Sequence, residues 1–184
     1  MSKFEIELRG LLDAKQKTKL ENFLSKHGKL IKKYKREHWI FGLSHSKTID
    51  LRIKKTNGKY EFSLKVGKLA NANRKEISIP IPEDKADHAL EFLKFLGYRE
   101  GLKAVRIGSV YQYKGVEWAV VEVPKHSFYF EAEKMVSGKK EGREAELAIR
   151  NVAESLRLKI FTKRETLKYI KRLDEEANKI FKLK

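Results

Sequence analysis

Cysteine is absent from the 184 residues. That excludes a disulfide framework, a thiolate nucleophile and any cysteine-ligated metal. The five histidines show no metal-ligand spacing and read as bystanders. No glycine-rich phosphate loop of the Walker type occurs, and no Ser/His/Asp arrangement suggests acyl transfer. No stretch approaches the roughly 18 apolar residues of a membrane span. The first residues run directly into a strand-like segment, Phe4 to Leu8, without the apolar region of a signal peptide. These absences together predict a soluble, cytoplasmic protein with no membrane partner.

Charge is abundant and unequal. Forty-two basic side chains against 25 acidic ones leave a net charge of +17. Such an excess attracts polyanions over about a Debye length, roughly 10 Å at moderate salt. Apolar residues make up 41 % of the chain, enough for a core. The length suits one compact domain over residues 1–184, with C-terminal helices over about 141–182.

Period-two alternation marks eight strands, at 4–9, 34–43, 49–54, 60–66, 74–79, 103–113, 116–123 and 128–133. Asn57-Gly58 between the third and fourth predicts a type I′ hairpin. Helical patterns cover 14–27, with Asp13 as N-cap and Gly28 as stop, then 83–96, 141–158 and 163 to near the end. Pro80 and Pro82 close the fifth strand, and Pro124 marks a turn. Eight consecutive strands interrupted by single helices predict an α+β fold: a closed antiparallel eight-stranded β-barrel with helices packed outside.

The polar faces of these strands carry charge rather than the usual Ser and Thr. Glu5, Glu7 and Arg9 share one face. So do Arg52 and Lys54, Glu61 and Lys65, Arg74 and Glu76, and Glu131 and Glu133. An E-x-E pair puts two carboxylates about 7 Å apart on one face, a spacing suited to hard cations that prefer oxygen. The reverse faces are apolar and need helices to cover them. The charged faces then point into a cavity that must be wet, internally paired or filled by a counter-ion.

In this order and placement the motifs resemble the CYTH domain of the triphosphate tunnel metalloenzymes, which include class IV adenylate cyclases and thiamine triphosphatases. EIELR (Glu5, Glu7, Arg9) resembles the family's opening E-x-E-x-[KR]. Leu51-Arg52-Ile53-Lys54, the strand ending near Lys65, Arg74-Lys75-Glu76, the basic strand Lys103 to Arg106 and the closing Glu131-Ala132-Glu133 follow in order. The resemblance covers roughly residues 3–175. It implies that Glu5, Glu7, Glu131 and Glu133 ligate Mg²⁺ or Mn²⁺. It also implies that Arg9, Arg52, Lys54, Lys65, Arg74 and Arg106 hold phosphate oxygens, with Glu76 orienting a basic neighbour. Strand parity leaves open whether Lys103 or Arg106 points inward, or whether a bulge resets the register. The family Asp that precedes the closing pair has Glu122 as its nearest counterpart, with Glu117 as the alternative, so the catalytic set reads Glu5, Glu7 and Glu122.

The implied activity is metal-dependent hydrolysis of inorganic triphosphate or a nucleoside triphosphate. A class IV adenylate cyclase is the alternative. The second strand carries Trp39-Ile40-Phe41 where cyclase-like members have an Asp and Tyr-Phe, which favours the hydrolase. A third reading is a non-catalytic RNA or polyphosphate binder, with nucleic acid a permitted but not favoured partner. Lys32, Lys33, Lys35 and Arg36 read as a solvated face, and Trp118 and Tyr129 as barrel packing. The expected assembly is a monomer or homodimer.

Overall fold

The computed structural model describes residues 4–41, 49–67 and 75–183. In chain order the elements are β1 (Phe4–Leu12), α1 (Ala14–His27), β2 (Lys29–Ile40), β3 (Ile49–Thr56), β4 (Lys59–Val66), β5 (Lys75–Ile81), α2 (Ala86–Phe95), β6 (Glu100–Tyr113), β7 (Val116–Val123), β8 (Ser127–Val136), α3 (Lys139–Ser155), α4 (Lys163–Glu176) and β9 (Lys179–Lys182). No helix among the described residues is long and apolar enough to cross a membrane.

Local chemistry sets several boundaries. Asp13 caps α1 by accepting from the Gln16 amide at 2.7 Å, while the Gln16 side chain accepts from the Asp13 amide at 3.0 Å. Thr162 and Glu165 form the same reciprocal cap on α4. Asn57 and Gly58 both adopt positive φ, at 48° and 91°, as the type I′ turn between β3 and β4 requires.

Eight strands form one antiparallel sheet in the order β1-β8-β7-β6-β2-β3-β4-β5. The end strands β1 and β5 share no ladder among the described residues. The sheet is therefore a strongly curled half-barrel, and the expected full closure is not what is seen. The seam is polar instead: Lys65 and Glu76 on one side lie close enough to Glu5 on the other to shift its titration. β9 pairs with the start of β6, where β7 does not reach. The sequence pattern assigned helix to this segment, but α4 stops at Glu176 and Lys179–Lys182 is extended.

Three helices cover the outer face as expected. Leu20 and Leu24 of α1 and Ala145, Ile149 and Ala153 of α3 pack with Ile6, Trp118, Val120, Phe130 and Val136. α2 places Ala89 and Leu93 on Phe41, Ile53 and Ile81. The last helix departs from the expectation of helices outside only. Tyr169 and Leu173 of α4 pack on Val121, Val123 and Tyr129, which face the concave side. That stretch of β7 carries valine beside the uncharged Gly108, Tyr129 and Ser127, so the inner face there needs apolar cover. The Tyr169 hydroxyl also lies 2.9 Å from Ser127 Oγ.

Candidate functional site

The concave face encloses a cavity of about 660 Å³. Strand alternation delivers its lining. β1 contributes Glu5, Glu7 and Arg9; β2 contributes Tyr34, Arg36 and His38; β3 contributes Arg52 and Lys54; β4 contributes Glu61 and Lys65. Glu76 comes from β5, Arg106 from β6, and Tyr129, Glu131 and Glu133 from β8. α4 closes one side with Tyr169, Leu173 and Asp174. The described lining carries eight acidic and eight basic side chains, so the chain's excess of +17 is not concentrated there.

The charges are organised into contacts. Arg9 is hydrogen-bonded to Glu7 and lies 3.2 Å from Glu131. Arg52 donates to both oxygens of buried Asp50, at 2.7 and 2.6 Å. Glu76 accepts from Lys54 at 2.7 Å and from Ser63 at 2.8 Å, and its other oxygen is 3.1 Å from Lys65. Glu76 thus holds two cations in place.

The carboxylates divide by their neighbours. Burial pushes Glu5 up to about 7, aided by Glu7 and only partly opposed by Lys65. Burial likewise raises Glu133 to about 8, with Glu5, Glu131 and Glu7 adding repulsion. Glu7 is also buried, but Arg9 outweighs that and draws it down to about 2. Burial opposes ionisation of Glu76 too, yet Lys65 and Lys54 bring it to about 2. Glu5 and Glu133 are the undercompensated members, a deficit that a cation would fill.

Their oxygen donors fit Mg²⁺ or Mn²⁺ chemically. The described side chains are not gathered around one centre: no group of three or more acidic or imidazole side chains stands within common metal reach among the described residues. Arg9 engages both Glu7 and Glu131 in this arrangement.

Other sequence-predicted residues fall elsewhere. Glu122 is on the outer face of β7, across from Phe128, and lines a groove with Lys17, Lys33 and Lys35. The short 124–126 connection sets this register, and it removes Glu122 from the catalytic set. Glu117 has the inward parity, directly across from Glu133, but does not line the cavity. Lys103 points outward, 2.7 Å from Glu37 and 4.9 Å above the Trp39 ring. Arg106 takes the inward position without any bulge in its part of β6. Arg74 lies outside the described residues. Trp118 is buried in the outer core, stacked on Phe130, while Tyr129 lines the cavity.

Arg36 and His38 were missed. The basic run hid their parity: Lys33 and Lys35 do face outward, but Arg36 alternates with them and turns in. His38 is 8 % exposed, and its Nδ1 has no hydrogen-bond partner. Burial, then the charges of Arg52, Arg36, Arg106 and Lys54, hold its pKa well below the ordinary value, so the imidazole is neutral.

No family model and no curated protein matches this chain. Solved structures do. The PH1819 protein from Pyrococcus horikoshii OT3 is 27 % identical with a TM-score of 0.73, over 91 % of this chain and 98 % of its own. A candidate adenylate cyclase from Vibrio parahaemolyticus is 14 % identical with a TM-score of 0.69, over 91 % of this chain and 99 % of its own. The fold is of the CYTH type. A third CYTH-like structure, the candidate adenylyl cyclase HpAC1 from Hippeastrum, is described as having a dominant triphosphatase activity. It is 15 % identical with a TM-score of 0.59, over 86 % of this chain and 90 % of its own. The CYTH resemblance read from the strand motifs is thus matched at the level of the fold.

Proposed function

We propose that this CYTH-type chain is a metal-dependent triphosphatase acting on inorganic triphosphate or a nucleoside triphosphate. One observation carries the reading: Glu5, Glu7, Glu131 and Glu133 share a single cavity with Arg9, Arg52, Lys65 and Arg106. The lining is already balanced in charge, so a triphosphate cannot be neutralised by the protein alone. It needs an accompanying cation, and the undercompensated Glu5 and Glu133 can hold one.

A bound Mg²⁺ or Mn²⁺ would supply charge neutralisation on the phosphate oxygens. The chain's own groups do the rest. Arg9, Arg52, Lys54 and Lys65 fix the phosphate chain; arginine can do so through paired N–H groups. A carboxylate of this set that the cation leaves free is suited to accept the proton of the attacking water. The water oxygen bonds to the terminal phosphorus, the bridging P–O bond breaks, and the shortened phosphate leaves with the electron pair. Such transfer depends on placement and charge more than on covalent help.

The names of the Vibrio and Hippeastrum proteins support a second reading, cyclisation of ATP to cyclic AMP and pyrophosphate. A panel of triphosphates with Mg²⁺ or Mn²⁺ tests both. Orthophosphate release supports the hydrolase, and cyclic AMP with pyrophosphate the cyclase. No turnover with any pair of substrate and metal would reject both and leave a polyanion-binding module.

A further inference from the structure

Arg36 and Arg106 are direct partners across the β2–β6 ladder, both turned into the cavity. Like charges directly opposite each other on a sheet are destabilising. Elsewhere in the cavity such charges are compensated: Arg52 by Asp50, Lys54 by Glu76, Arg9 by Glu131. This pair is not. Arg36 Nε donates to the Thr56 hydroxyl at 2.9 Å, and its guanidinium lies 4.7 Å from the Tyr34 ring centroid. Arg106 donates to the Val105 carbonyl at 2.8 Å and to Asn178 Oδ1 at 3.2 Å. All these partners are neutral, and among the described residues neither arginine has a carboxylate partner.

His38 stands beside them, two residues from Arg36 and across the same ladder from Ala104. It lines the cavity, is more than nine-tenths buried, and leaves a ring nitrogen unpaired. An unpaired buried polar atom is destabilising, so this corner holds two unmet demands, both answered by an oxyanion. The corner lies beyond Glu131 along the cavity. Tyr129, which feels the charges of both Glu131 and Arg106, is two residues from Glu131 and four from Glu133 along β8, about 13 Å from the latter at strand rise.

We propose that Arg36, Arg106 and His38 form an oxyanion subsite that takes a phosphoryl group, either the far end of a bound polyphosphate chain or free orthophosphate. The inference deepens the reading of the cavity as a phosphate site and rests on it. The subsite neutralises the end of the chain that lies beside Tyr129, beyond Glu131, and so selects substrates whose anionic chain is long enough to reach it from Glu133.

The test is equilibrium titration of the full chain with tripolyphosphate and, separately, orthophosphate, in EDTA and again with Mg²⁺. The variants are Arg36→Gln and His38→Gln, with melting temperatures recorded. Arg36→Gln is expected to weaken tripolyphosphate binding by about tenfold or more, the scale of a charge-assisted contact. It should melt no lower than the parent without ligand, because it relieves the repulsion. His38→Gln should weaken binding less. Loss of orthophosphate affinity in Arg36→Gln assigns the subsite to a free oxyanion. Tripolyphosphate loss with no orthophosphate binding by either protein assigns it to a chain end. Unchanged tripolyphosphate affinity in both variants overturns the subsite while leaving the cavity reading intact. A parent chain that binds no tripolyphosphate under either condition overturns both. Parent binding without hydrolysis overturns only the triphosphatase.

Discussion

Glu7 and Glu133 face each other directly across the β1–β8 ladder, two carboxylates on one rung of one cavity, yet they ionise far apart. Arg9 overcomes the effect of burial at Glu7 and holds it at about 2. Burial and three neighbouring carboxylates, Glu5 foremost, lift Glu133 to about 8. The pair shows how this fold sets proton affinity by the placement of one arginine.

The pH dependence of stability follows from these directions. Glu5 and Glu133 bind protons more tightly in the folded chain than at their ordinary value of 4.5, reaching about 7 and about 8. Between roughly 4.5 and 8 the native state holds protons that the unfolded chain releases, so stability falls as pH rises through that window. Glu7 and Glu76 are shifted the other way, to about 2. Their contribution is complete above 4.5 and is lost only on acidification, so they do not offset the fall. His38, with its pKa held well below the ordinary 6.5, works the other way at lower pH, so calorimetry in EDTA should show the melting temperature declining between about pH 7 and about pH 8. Added Mn²⁺ should restore more at the alkaline end. A flat metal-free profile would contradict the assigned environments.

Glu133→Gln should separate stability from function. It removes the repelled charge, so the metal-free protein should melt higher near pH 8. Mn²⁺ should then stabilise it less, with affinity and turnover reduced at least about tenfold. A variant that keeps parental Mn²⁺ stabilisation would remove Glu133 from the metal set.

Glu122→Gln and Lys103→Ala should leave turnover within about twofold, because both side chains face outward. Lys103→Ala forfeits the Glu37 ion pair and the Trp39 contact, at a cost of about 1 kcal/mol or less for a partly exposed pair. Arg106→Gln, by contrast, should weaken tripolyphosphate binding. Assays of phosphate release and tripolyphosphate titrations on the three variants check the inward and outward assignments of β6 and β7. Equal losses in all three would mean that the register is wrong.

What the sequence revealed was the period-two charge. Glu5-Glu7-Arg9, Arg52-Lys54 and Glu131-Glu133 alternate with apolar residues so plainly that their common face could be read without coordinates. Arg36 was harder, because it ends the basic run of Lys32, Lys33 and Lys35, which masks its parity, and an irregularity between Leu30 and Lys32 shifts the ladder. The inward seat of α4 depends on Val121 and Val123, which read as ordinary core residues until their partners are known. β9 is four residues long, and its pairing with Glu100–Lys103 is a long-range event that local pattern cannot announce. Closure has the same character. Whether β1 meets β5 is decided by the accumulated curl of the sheet rather than by either strand.

The seat of α4 offers a test of its own. Leu173 is 7 % exposed and packs with Val121, Val123 and Tyr129. Replacing it with alanine removes buried methyl groups and leaves a void, at a cost of about 2–5 kcal/mol. Lys171, on the solvent side of the same helix, pairs only loosely with Glu175 at 3.6 Å, and its replacement should cost almost nothing. Denaturant unfolding of the two variants measures the difference, and hydrogen exchange should quicken over residues 163–176 in Leu173→Ala alone. Tyr129 and Asp174 line the cavity beside this contact, so loosening the helix should also weaken tripolyphosphate binding. Equal stability in the two variants would mean that α4 does not grip the concave face, and the cavity would lose its helical wall.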